Sequence, residues 1–392
     1  MPKLLIIADD LTGALDTGIQ FSKIGVDTVV SINPGELVSD TDVIVADTES
    51  RHLLPEIAYE RVRRVLSITG EVGYVYKKTD STLRGNTGAE FKAIIDETSH
   101  PVIFIPAFPE MGRTTKNGIQ YINGVPLGES PFASDPVNPV RKSYIPDIIK
   151  EQADLDCVVV TREEYGEIKF KKGVVYIIDG ETRDDLELIG EILKDKGLIK
   201  ITAGCAGFAR TLANLIYPEK RDRSTHLGIK ARPLILVCGS INEVSLRQVE
   251  YAKRNYQALD IVLSLEDIIN GTIDLPDING EEIILIRTTD KHLDINSYKD
   301  LPVIIQERLG EVTSRFLQLT KSNTLVVFGG DTLLGITEKL GISHLYPLIE
   351  IEDGVVLSEA SSFFFITKAG GFGKEDIIDR IISFIRGHLP EV

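Results

Sequence analysis

The first fourteen residues, Met1-Pro-Lys-Leu-Leu-Ile-Ile-Ala-Asp-Asp-Leu-Thr-Gly-Ala14, decide the fold class of this chain. The apolar run Lys3–Ala8 predicts a buried strand, and Thr12–Ile24 has the apolar periodicity of an amphipathic helix. A buried strand that passes directly into a helix is typical of α/β layers around a mainly parallel sheet. Because ligands of such sheets bind outside the carboxyl ends of the strands, Asp9 and Asp10 stand where a functional site is expected.

Short apolar runs and helical patterns alternate along the rest of the first half. Strands are predicted at Thr28–Ile32, Asp42–Ala46, Tyr74–Tyr76, Val102–Pro106, Cys157–Thr161, Val174–Ile178 and Ile199–Ile201. Helices are predicted at Pro55–Ile68, Gly88–Glu97 and Thr182–Lys194. The dipeptide Asn123-Gly124 predicts a tight hairpin turn, because both residues tolerate positive φ.

Short apolar runs and helical patterns also alternate in the second half of the chain. Strands are predicted at Pro233–Cys238, Ile261–Leu263, Glu282–Arg287, Thr324–Phe328 and Phe363–Thr367. The polar stretch Pro218–Lys230 lacks apolar periodicity and is the predicted linker. A length of 392 residues fits two domains, which we place at 1–224 and 225–392. The predicted fold is α/β with two domains, each a mainly parallel sheet flanked by helices, and a ligand cleft between them.

Composition restricts the partners. The formal net charge of −16 repels the phosphates of DNA and RNA, so no nucleic acid is expected. No apolar run approaches the roughly 20 residues that span a bilayer, so no membrane partner is expected. The three cysteines are far apart and form no zinc motif, which fits a reducing compartment. We expect a cytoplasmic protein, and the oligomeric state is open, with a homodimer as one candidate.

Asp9 and Asp10 are the candidate catalytic residues. A carboxylate at a strand end can accept hydrogen bonds from a sugar hydroxyl, or act as the base for a hydroxyl that attacks phosphorus. The alternative is that one aspartate only caps the following helix. Arg51, after the third strand, has the planar fork that suits a substrate carboxylate, although alone it would be interpreted as a surface ion pair.

A basic, hydroxyl-rich segment, Lys77-Lys-Thr-Asp-Ser-Thr-Leu-Arg-Gly-Asn-Thr-Gly88, follows the fourth strand. In a strongly acidic protein this segment indicates a site for an anionic small molecule, and the alternative is a solvated charged turn. The candidate substrate-binding residues are Arg51, Lys78, Asp80, Ser81, Arg84 and Gly85. The next strand ends in a loop with Gly112 and Arg113 at its tip, and the sequence does not decide whether this loop binds a ligand or is structural.

Three glycine turns in the second half form the other constellation. Each follows a predicted strand, where glycines let backbone N–H groups approach phosphate oxygens. The candidate ATP-binding residues are Ser240, Gly329, Gly330, Asp331, Thr332, Gly370 and Gly371, and Lys368 is a candidate cation. None of the turns fits a Walker A or a G-x-G-x-x-G pattern, but together the three indicate a cradle for nucleotide phosphates.

These motifs, taken together and in this order, resemble one known family. The stretches that carry the resemblance are Ala8–Ala14, Lys78–Asn86, Pro106–Pro109, Cys238–Ser240, Gly329–Thr332 and Lys368–Gly373. They are similar to those of the four-carbon acid sugar kinases, which include kinases of D-threonate, D-erythronate and 3-oxo-tetronate. The resemblance covers nearly the whole chain.

The resemblance implies an N-terminal acid-sugar domain, a C-terminal ATP domain and dependence on Mg²⁺. It implies transfer of phosphate from ATP to the C4 hydroxyl, with D-threonate as the first expected substrate and D-erythronate or 3-oxo-tetronate next. In this scheme Arg51, Lys78 or Arg84 holds the substrate carboxylate. Asp9 or Asp10 orients or deprotonates the hydroxyl, and domain closure excludes water. The metal ligands are left unassigned.

Two other functions are compatible with parts of the pattern. A nicotinamide-dependent dehydrogenase of a small hydroxy acid would also use glycine turns, but the missing G-x-G-x-x-G argues against it. A non-catalytic acid-sugar sensor would keep the fold, but the presence of both aspartates and all three glycine turns argues against loss of activity.

Overall fold

The computed structural model describes residues 2–33, 35, 40–135, 138–219, 227–271, 273, 275–288 and 301–388. The chain divides into two compact units, Met1–Asp222 and Arg223–Val392. Each unit is built around a mainly parallel sheet with helices on it, so the predicted fold class is confirmed. The boundary predicted between residues 224 and 225 lies outside the described residues, as does most of the predicted linker.

The first unit contains eleven strands, six α-helices and four short 3-10 helices among its described residues. The strands are β1 (Leu4–Ala8), β2 (Thr28–Ser31), β3 (Val43–Asp47), β4 (Tyr74–Lys78), β5 (Val102–Ile105), β6 (Arg113–Lys116), β7 (Ile119–Ile122), β8 (Val125–Pro126), β9 (Asp156–Val160), β10 (Val174–Ile178) and β11 (Ile201–Gly204). The helices are α1 (Leu11–Ser22), α2 (Pro55–Thr69), α3 (Thr87–Thr98), α4 (Ile145–Lys150), α5 (Arg183–Asp195) and α6 (Ala206–Ile216).

Eight of these strands form one parallel sheet in the order β2-β3-β1-β4-β11-β5-β10-β9. Its central strands are apolar on both faces because helices cover both faces. Val62 of α2, Phe91 of α3 and Ile145 of α4 share one apolar core with the sheet. Helix α6 packs against α1 and α5. The carboxyl ends of β1, β3 and β4 are therefore neighbours at one edge of the sheet.

The strands β6, β7 and β8 form a small antiparallel sheet. The turn at Asn123-Gly124 joins β7 and β8 with positive φ at both residues, as predicted. A second turn of the same kind at Asn117-Gly118 joins β6 and β7, and the sequence interpretation missed it. Two isolated bridges, Thr115 with Gly180 and Ile119 with Tyr144, tie this sheet to the rest of the unit.

The second unit contains seven strands and five helices among its described residues. The strands are β12 (Leu234–Cys238), β13 (Ala258–Leu263), β14 (Ile283–Thr288), β15 (Thr324–Phe328), β16 (His344–Glu352), β17 (Val355–Ala360) and β18 (Phe363–Lys368). The helices are α7 (Glu243–Asn255), α8 (Leu265–Asn270), α9 (Leu301–Thr320), α10 (Gly330–Leu340) and α11 (Ile377–His388).

The strand order in the second unit is β13-β14-β12-β15-β18-β17-β16. The first five strands are parallel, β17 is antiparallel to β18, and β16 at the edge is antiparallel to β17. Helices α7 and α11 share an apolar core with this sheet through Val249, Ile378 and Ile381. No helix among the described residues is both long and apolar enough to cross a membrane.

Candidate active site

Three adjacent strands of the first unit deliver the predicted N-terminal site residues to one edge of the sheet. Ala8 at the end of β1 is aligned with Asp47 of β3 and with Lys78 of β4. The segments that follow these strands, residues 9–10, 48–51 and 79–85, therefore begin side by side. This is the edge at which open α/β sheets bind ligands.

Arg51 connects the two aspartates. Its Nε donates to Asp9 Oδ2 at 2.7 Å, its Nη1 to Asp10 Oδ2 at 2.8 Å and its Nη2 to Asp10 Oδ1 at 2.6 Å. All three nitrogens of the guanidinium are thus engaged by the protein's own carboxylates. The predicted contact between Arg51 and a substrate carboxylate stays a prediction. In this structure Arg51 holds the aspartates in place.

Asp10 also caps helix α1. Its Oδ1 accepts from the backbone N–H of Gly13 at 3.1 Å, and its Oδ2 accepts from the Thr12 hydroxyl at 2.8 Å. With the two bonds from Arg51, both oxygens of Asp10 accept two hydrogen bonds, which fills the carboxylate. Asp10 therefore caps helix α1 but does not only cap it, because it also pairs with Arg51, and its predicted catalytic role stays a prediction.

Asp9 differs from Asp10 because one of its carboxylate oxygens accepts no hydrogen bond from the described residues. Its Oδ2 accepts from Arg51, but Oδ1 is buried and has no hydrogen-bond partner among the described residues. Burial raises the pKa of Asp9, but the charges of Arg51, Lys77 and Lys78 outweigh it and lower the pKa below its ordinary value. Asp9 is therefore an ionised carboxylate with unused acceptor capacity.

A buried ion pair lies behind these groups. Lys77 Nζ is 3.0 Å from Glu90 Oε2 of α3, and both side chains are almost fully buried. Lys77 also donates to the carbonyl oxygens of Ile7 and Lys78, and the Ser50 hydroxyl donates to Glu90 Oε1 at 2.6 Å. The pair thus links the ends of β1, β4 and the segment that carries Arg51. Removing one partner of such a pair leaves a buried charge and costs about 3–5 kcal/mol.

The segment after β4 is organised by Asp80. Arg84 donates to both of its oxygens, with Nε–Oδ2 at 2.8 Å and Nη2–Oδ1 at 3.2 Å, and the Thr82 hydroxyl donates to Oδ2. Burial raises the pKa of Asp80, but the charges of Arg84 and Arg51 hold it well below its usual range. Gly85 packs against Arg51, where a Cβ would lie 3.2 Å from Arg51 Cγ. The contacts of Asp80, Arg84 and Gly85 therefore fix the segment after β4 against Arg51.

Lys78 and Ser81 are different, because their side chains are not used by the protein. Among the described residues, neither side chain has a hydrogen-bond or ion-pair partner, although Lys78 is only 4% exposed. A Cβ on Gly13 would lie 2.6 Å from Lys78 Nζ, so the ammonium group rests on the first turn of α1. Lys78 is a buried cation available to an anion at this edge of the sheet.

The second constellation lies at the carboxyl ends of β12, β15 and β18, which are adjacent in the sheet of the second unit. Cys238 is aligned with Phe328, and Phe328 with Lys368. The three predicted glycine turns begin directly after these residues. They therefore meet at one point of the second unit, as expected for turns at the carboxyl ends of parallel strands.

Close contacts show how tightly the turns meet. A Cβ on Gly239 would lie 2.4 Å from the Thr332 hydroxyl, and a Cβ on Gly370 would lie 2.7 Å from the Ser240 hydroxyl. Gly329 has φ of +105° and precedes helix α10. The three turns thus bring two hydroxyls and the N-terminus of α10 together. Gly330 and Asp331 form the first residues of α10, and Asp331 is exposed.

Lys368 lies beneath the third turn. Its Nζ is buried and donates to the Ser245 hydroxyl at 3.1 Å and to the carbonyl oxygens of Ala369 at 3.1 Å and Gly370 at 3.2 Å. Burial lowers the pKa of Lys368 to about 8. In the structure Lys368 fixes the backbone of the turn, and its predicted contact with a phosphate stays a prediction.

Gln248 of α7 supports the same turn. Its Nε2 donates to the carbonyl oxygens of Phe372 at 3.0 Å, Gly373 at 3.1 Å and Lys374 at 2.8 Å. The sequence interpretation missed Gln248, as it missed the buried pair of Lys77 and Glu90. The sequence around Gln248 does not indicate its hydrogen-bond partners, because they are distant in the chain. Gly373, for example, is 125 residues away.

Two family models match the chain, one in each half. A family model described as a sugar-binding N-terminal domain matches residues 4–212, more than half of the chain. A second, described as a nucleotide-binding C-terminal domain, matches residues 235–378. The chain is 29% identical to a D-threonate kinase of Salmonella typhimurium strain LT2 over 98% of each chain. It is 25% identical to a D-erythronate kinase of Heliobacterium modesticaldum over 98% of this chain and 97% of the relative.

The chain belongs to the four-carbon acid sugar kinase family. The predicted enzyme class, a phosphotransferase with an alcohol group as acceptor, is confirmed. A crystal structure of a Salmonella typhimurium LT2 protein has the same fold as this acid sugar kinase, with a TM-score of 0.77 and 23% identity over 97% of this chain and 99% of that one.

Proposed function

We propose that this kinase transfers the terminal phosphate of ATP to the C4 hydroxyl of a four-carbon acid sugar, with Mg²⁺ bound to the nucleotide. D-threonate is the first expected substrate, because the relative that is 29% identical over nearly full length is a D-threonate kinase. D-erythronate and 3-oxo-tetronate are the next candidates, since similar relatives are named for them.

The observation that carries the proposal is the convergence of three glycine turns within the nucleotide-binding domain. In that place backbone N–H groups at a helix N-terminus suit phosphate oxygens. The proposed ATP contacts are Ser240, Gly329, Gly330, Asp331, Thr332, Gly370 and Gly371. The hydroxyls of Ser240 and Thr332 lie beside Gly370 and Gly239, which places two donors at the same point.

Asp331 is the residue that would hold Mg²⁺. It is exposed in the first turn of α10, and it has no ion-pair partner among the described residues. A carboxylate beside phosphate groups is unfavourable unless a cation lies between them. Among the described residues no three metal-binding side chains cluster, which fits Mg²⁺, because nucleotide phosphates and water supply most of its ligands. Mg²⁺ would neutralise charge on the phosphates.

The acid sugar is assigned to the edge of the first sheet. Lys78 and Ser81 have unused side chains there and would contact the substrate directly. Arg51, Asp80, Arg84 and Gly85 remain proposed substrate-binding residues, and their contacts in the structure also shape the site around Asp9 and Asp10.

We assign the acceptor hydroxyl to Asp9. Its Oδ1 is unused, whereas both oxygens of Asp10 are filled by Arg51, Gly13 and Thr12. The bond between the C4 oxygen and the γ-phosphorus forms while the bond from that phosphorus to the β,γ-bridging oxygen breaks, and the hydroxyl proton passes to Asp9. Because the transition state is loose, a carboxylate with a lowered pKa serves mainly to orient the hydroxyl.

The proposal is tested by release of ADP from ATP and Mg²⁺ in the presence of individual four-carbon acids. We expect D-threonate to give the highest kcat/KM, and no ADP release above background with ATP alone. Equal activity with unrelated sugars that lack a carboxylate, or no activity with any four-carbon acid, would contradict the proposal.

A further inference from the structure

Arg113 stands at the end of a rigid loop that follows β5. The loop is closed by two backbone bonds, from Phe108 N–H to the Arg113 carbonyl at 2.8 Å and from Arg113 N–H to the Phe108 carbonyl at 3.0 Å. Gly112 has φ of +69°, and its own carbonyl accepts from the Asn123 N–H at 2.7 Å. Arg183 donates to Glu110 in the same loop at 2.6 Å. The backbone that carries Arg113 is therefore fixed before any ligand binds.

The guanidinium of Arg113 lacks a charged partner. Nη1 donates to the Met111 carbonyl, whereas Nε is buried and has no hydrogen-bond partner among the described residues. Among the described residues no carboxylate lies within ion-pair distance of Arg113, although Arg51 lies within that distance of three aspartates and Arg84 of two. A buried donor without a partner is unfavourable unless a ligand supplies the acceptor.

Arg113 belongs to the same edge of the sheet as Lys78. The strands β4, β11 and β5 are adjacent, and Arg113 follows the carboxyl end of β5 as Lys78 ends β4. Burial lowers the pKa of Arg113, the charge of Asp80 opposes this effect and the charge of Arg84 adds to it. The small sheet that begins with Arg113 contacts the segment after β4, because Gln120 of β7, which pairs with Thr115 of β6, donates from Nε2 to the Ser81 carbonyl at 3.2 Å.

We propose that Arg113 binds the carboxylate of the acid sugar and thereby selects an acid as the substrate; this inference rests on the proposed function. The planar fork of a guanidinium matches a carboxylate with two parallel hydrogen bonds. Arg113 has unused donors on a fixed backbone, and Lys78 supplies a second cation at the same edge. Arg51 and Arg84 are less suited, because carboxylates of the protein already occupy them.

The test compares Arg113→Gln and Arg113→Lys with the wild-type kinase, using D-threonate and its neutral amide, D-threonamide. We expect Arg113→Gln to raise the KM and the calorimetric Kd for D-threonate on the order of 10- to 100-fold, as for loss of hydrogen bonds to a charged group. The KM for ATP and the constants for D-threonamide stay within about threefold. Arg113→Lys keeps the charge without the fork and gives an intermediate loss.

Lys116→Gln is the matched control, because Lys116 lies on the same strand β6 but is exposed and pairs with Glu181 at 3.1 Å. It should leave the constants unchanged. The inference is overturned if Arg113→Gln leaves the affinity for D-threonate unchanged, or weakens the acid, the amide and ATP equally. A wild-type protein that binds D-threonate without releasing ADP contradicts the proposed function alone. One that binds none of the three candidate acids, D-threonate, D-erythronate and 3-oxo-tetronate, overturns both.

Discussion

Asp9 and Asp10 are neighbours in sequence, yet the fold uses their acceptor positions differently. Asp10 combines a helix cap with an ion pair, and its two oxygens together accept four hydrogen bonds. Asp9 shares the same arginine but keeps one buried oxygen without a partner. The sequence could propose both aspartates as catalytic, but only the contacts of Arg51 and Gly13 distinguish between them.

We therefore predict that Asp9→Asn lowers kcat on the order of 10²- to 10⁴-fold, the range for a general acid–base residue, because Asp9 both orients the acceptor hydroxyl and receives its proton. Asp10→Asn should retain the cap, because asparagine caps helices about as well as aspartate, and should lower kcat less. Steady-state kinetics with D-threonate, with thermal unfolding as a folding control, measure the difference. Near-normal turnover of Asp9→Asn would contradict the assignment.

Because Lys368 is buried, the free energy of unfolding should depend on pH. Its pKa is lowered to about 8 from an ordinary 10.5, because the ammonium group is buried. Between these values the unfolded chain binds a proton that the folded chain does not, so the free energy of unfolding rises as pH increases through this window. Below pH 8 both states are protonated and the full cost, about 3 kcal/mol, destabilises the fold.

The measurement is the melting temperature at pH 7.5 and pH 9.5. Relative to Lys368→Met, which has no such proton, the wild-type protein should gain stability at the higher pH. Lys339→Met, at an exposed position on α10, serves as the control and should follow the wild-type protein. If the difference between wild type and Lys368→Met does not change with pH, the lysine is not buried as described.

At the level of elements, a substitution in a glycine turn can test how closely a nucleotide approaches the backbone. A Cβ on Gly371 would lie 3.9 Å from the nearest atom beyond its chain neighbours, Asn242 Nδ2, so alanine fits without strain in the free protein. We predict that Gly371→Ala weakens ATP binding about tenfold while the melting temperature stays unchanged, because the methyl group occupies space that a phosphate needs.

The control is Gly387→Ala in α11, where a Cβ meets nothing within 4 Å and no ligand is expected. Titration calorimetry with a non-hydrolysable ATP analogue measures both variants. Unchanged affinity of Gly371→Ala would remove Gly371 from the proposed ATP contacts.

The sequence predicted strands correctly where the local residue types alone determine the secondary structure. The strand Thr324–Phe328 was predicted without error, since an uninterrupted apolar run before glycines has one favourable interpretation. The strand predicted at Ile199–Ile201 lies at Ile201–Gly204, because alanine and glycine have low strand propensity yet pair here between β4 and β5. Strands β16 and β17 were missed, since the half-exposed β16 contains a proline and bulges.

The candidate site was predictable in part for the same reason. Strand ends gave the positions of Asp9, Lys78 and Ser240, because parallel strands bring their carboxyl ends together. The partners of these residues were not predictable. Arg51 is 42 residues from Asp9 in the chain. Tertiary packing, which the sequence does not show, determines that Arg51 hydrogen-bonds two aspartates.

At the scale of the whole molecule, the two units should respond to different ligands. A ligand that binds only the folded state stabilises its own unit by about 2.7 kcal/mol at 100 times its Kd. Scanning calorimetry should therefore show that D-threonate raises the transition of the first unit and an ATP analogue that of the second. Gly371→Ala should reduce the second shift and leave the first one. A shift of the same unit by both ligands would contradict the division of labour.

The most direct test of the central claim is the identity of the product, read by phosphorus and proton NMR after reaction of the wild-type kinase with ATP, Mg²⁺ and D-threonate. We expect one phosphomonoester signal, coupled to the two protons on C4, that grows at the rate at which ADP appears. A phosphate on C2 or C3, an acyl phosphate on C1, or inorganic phosphate alone would contradict it.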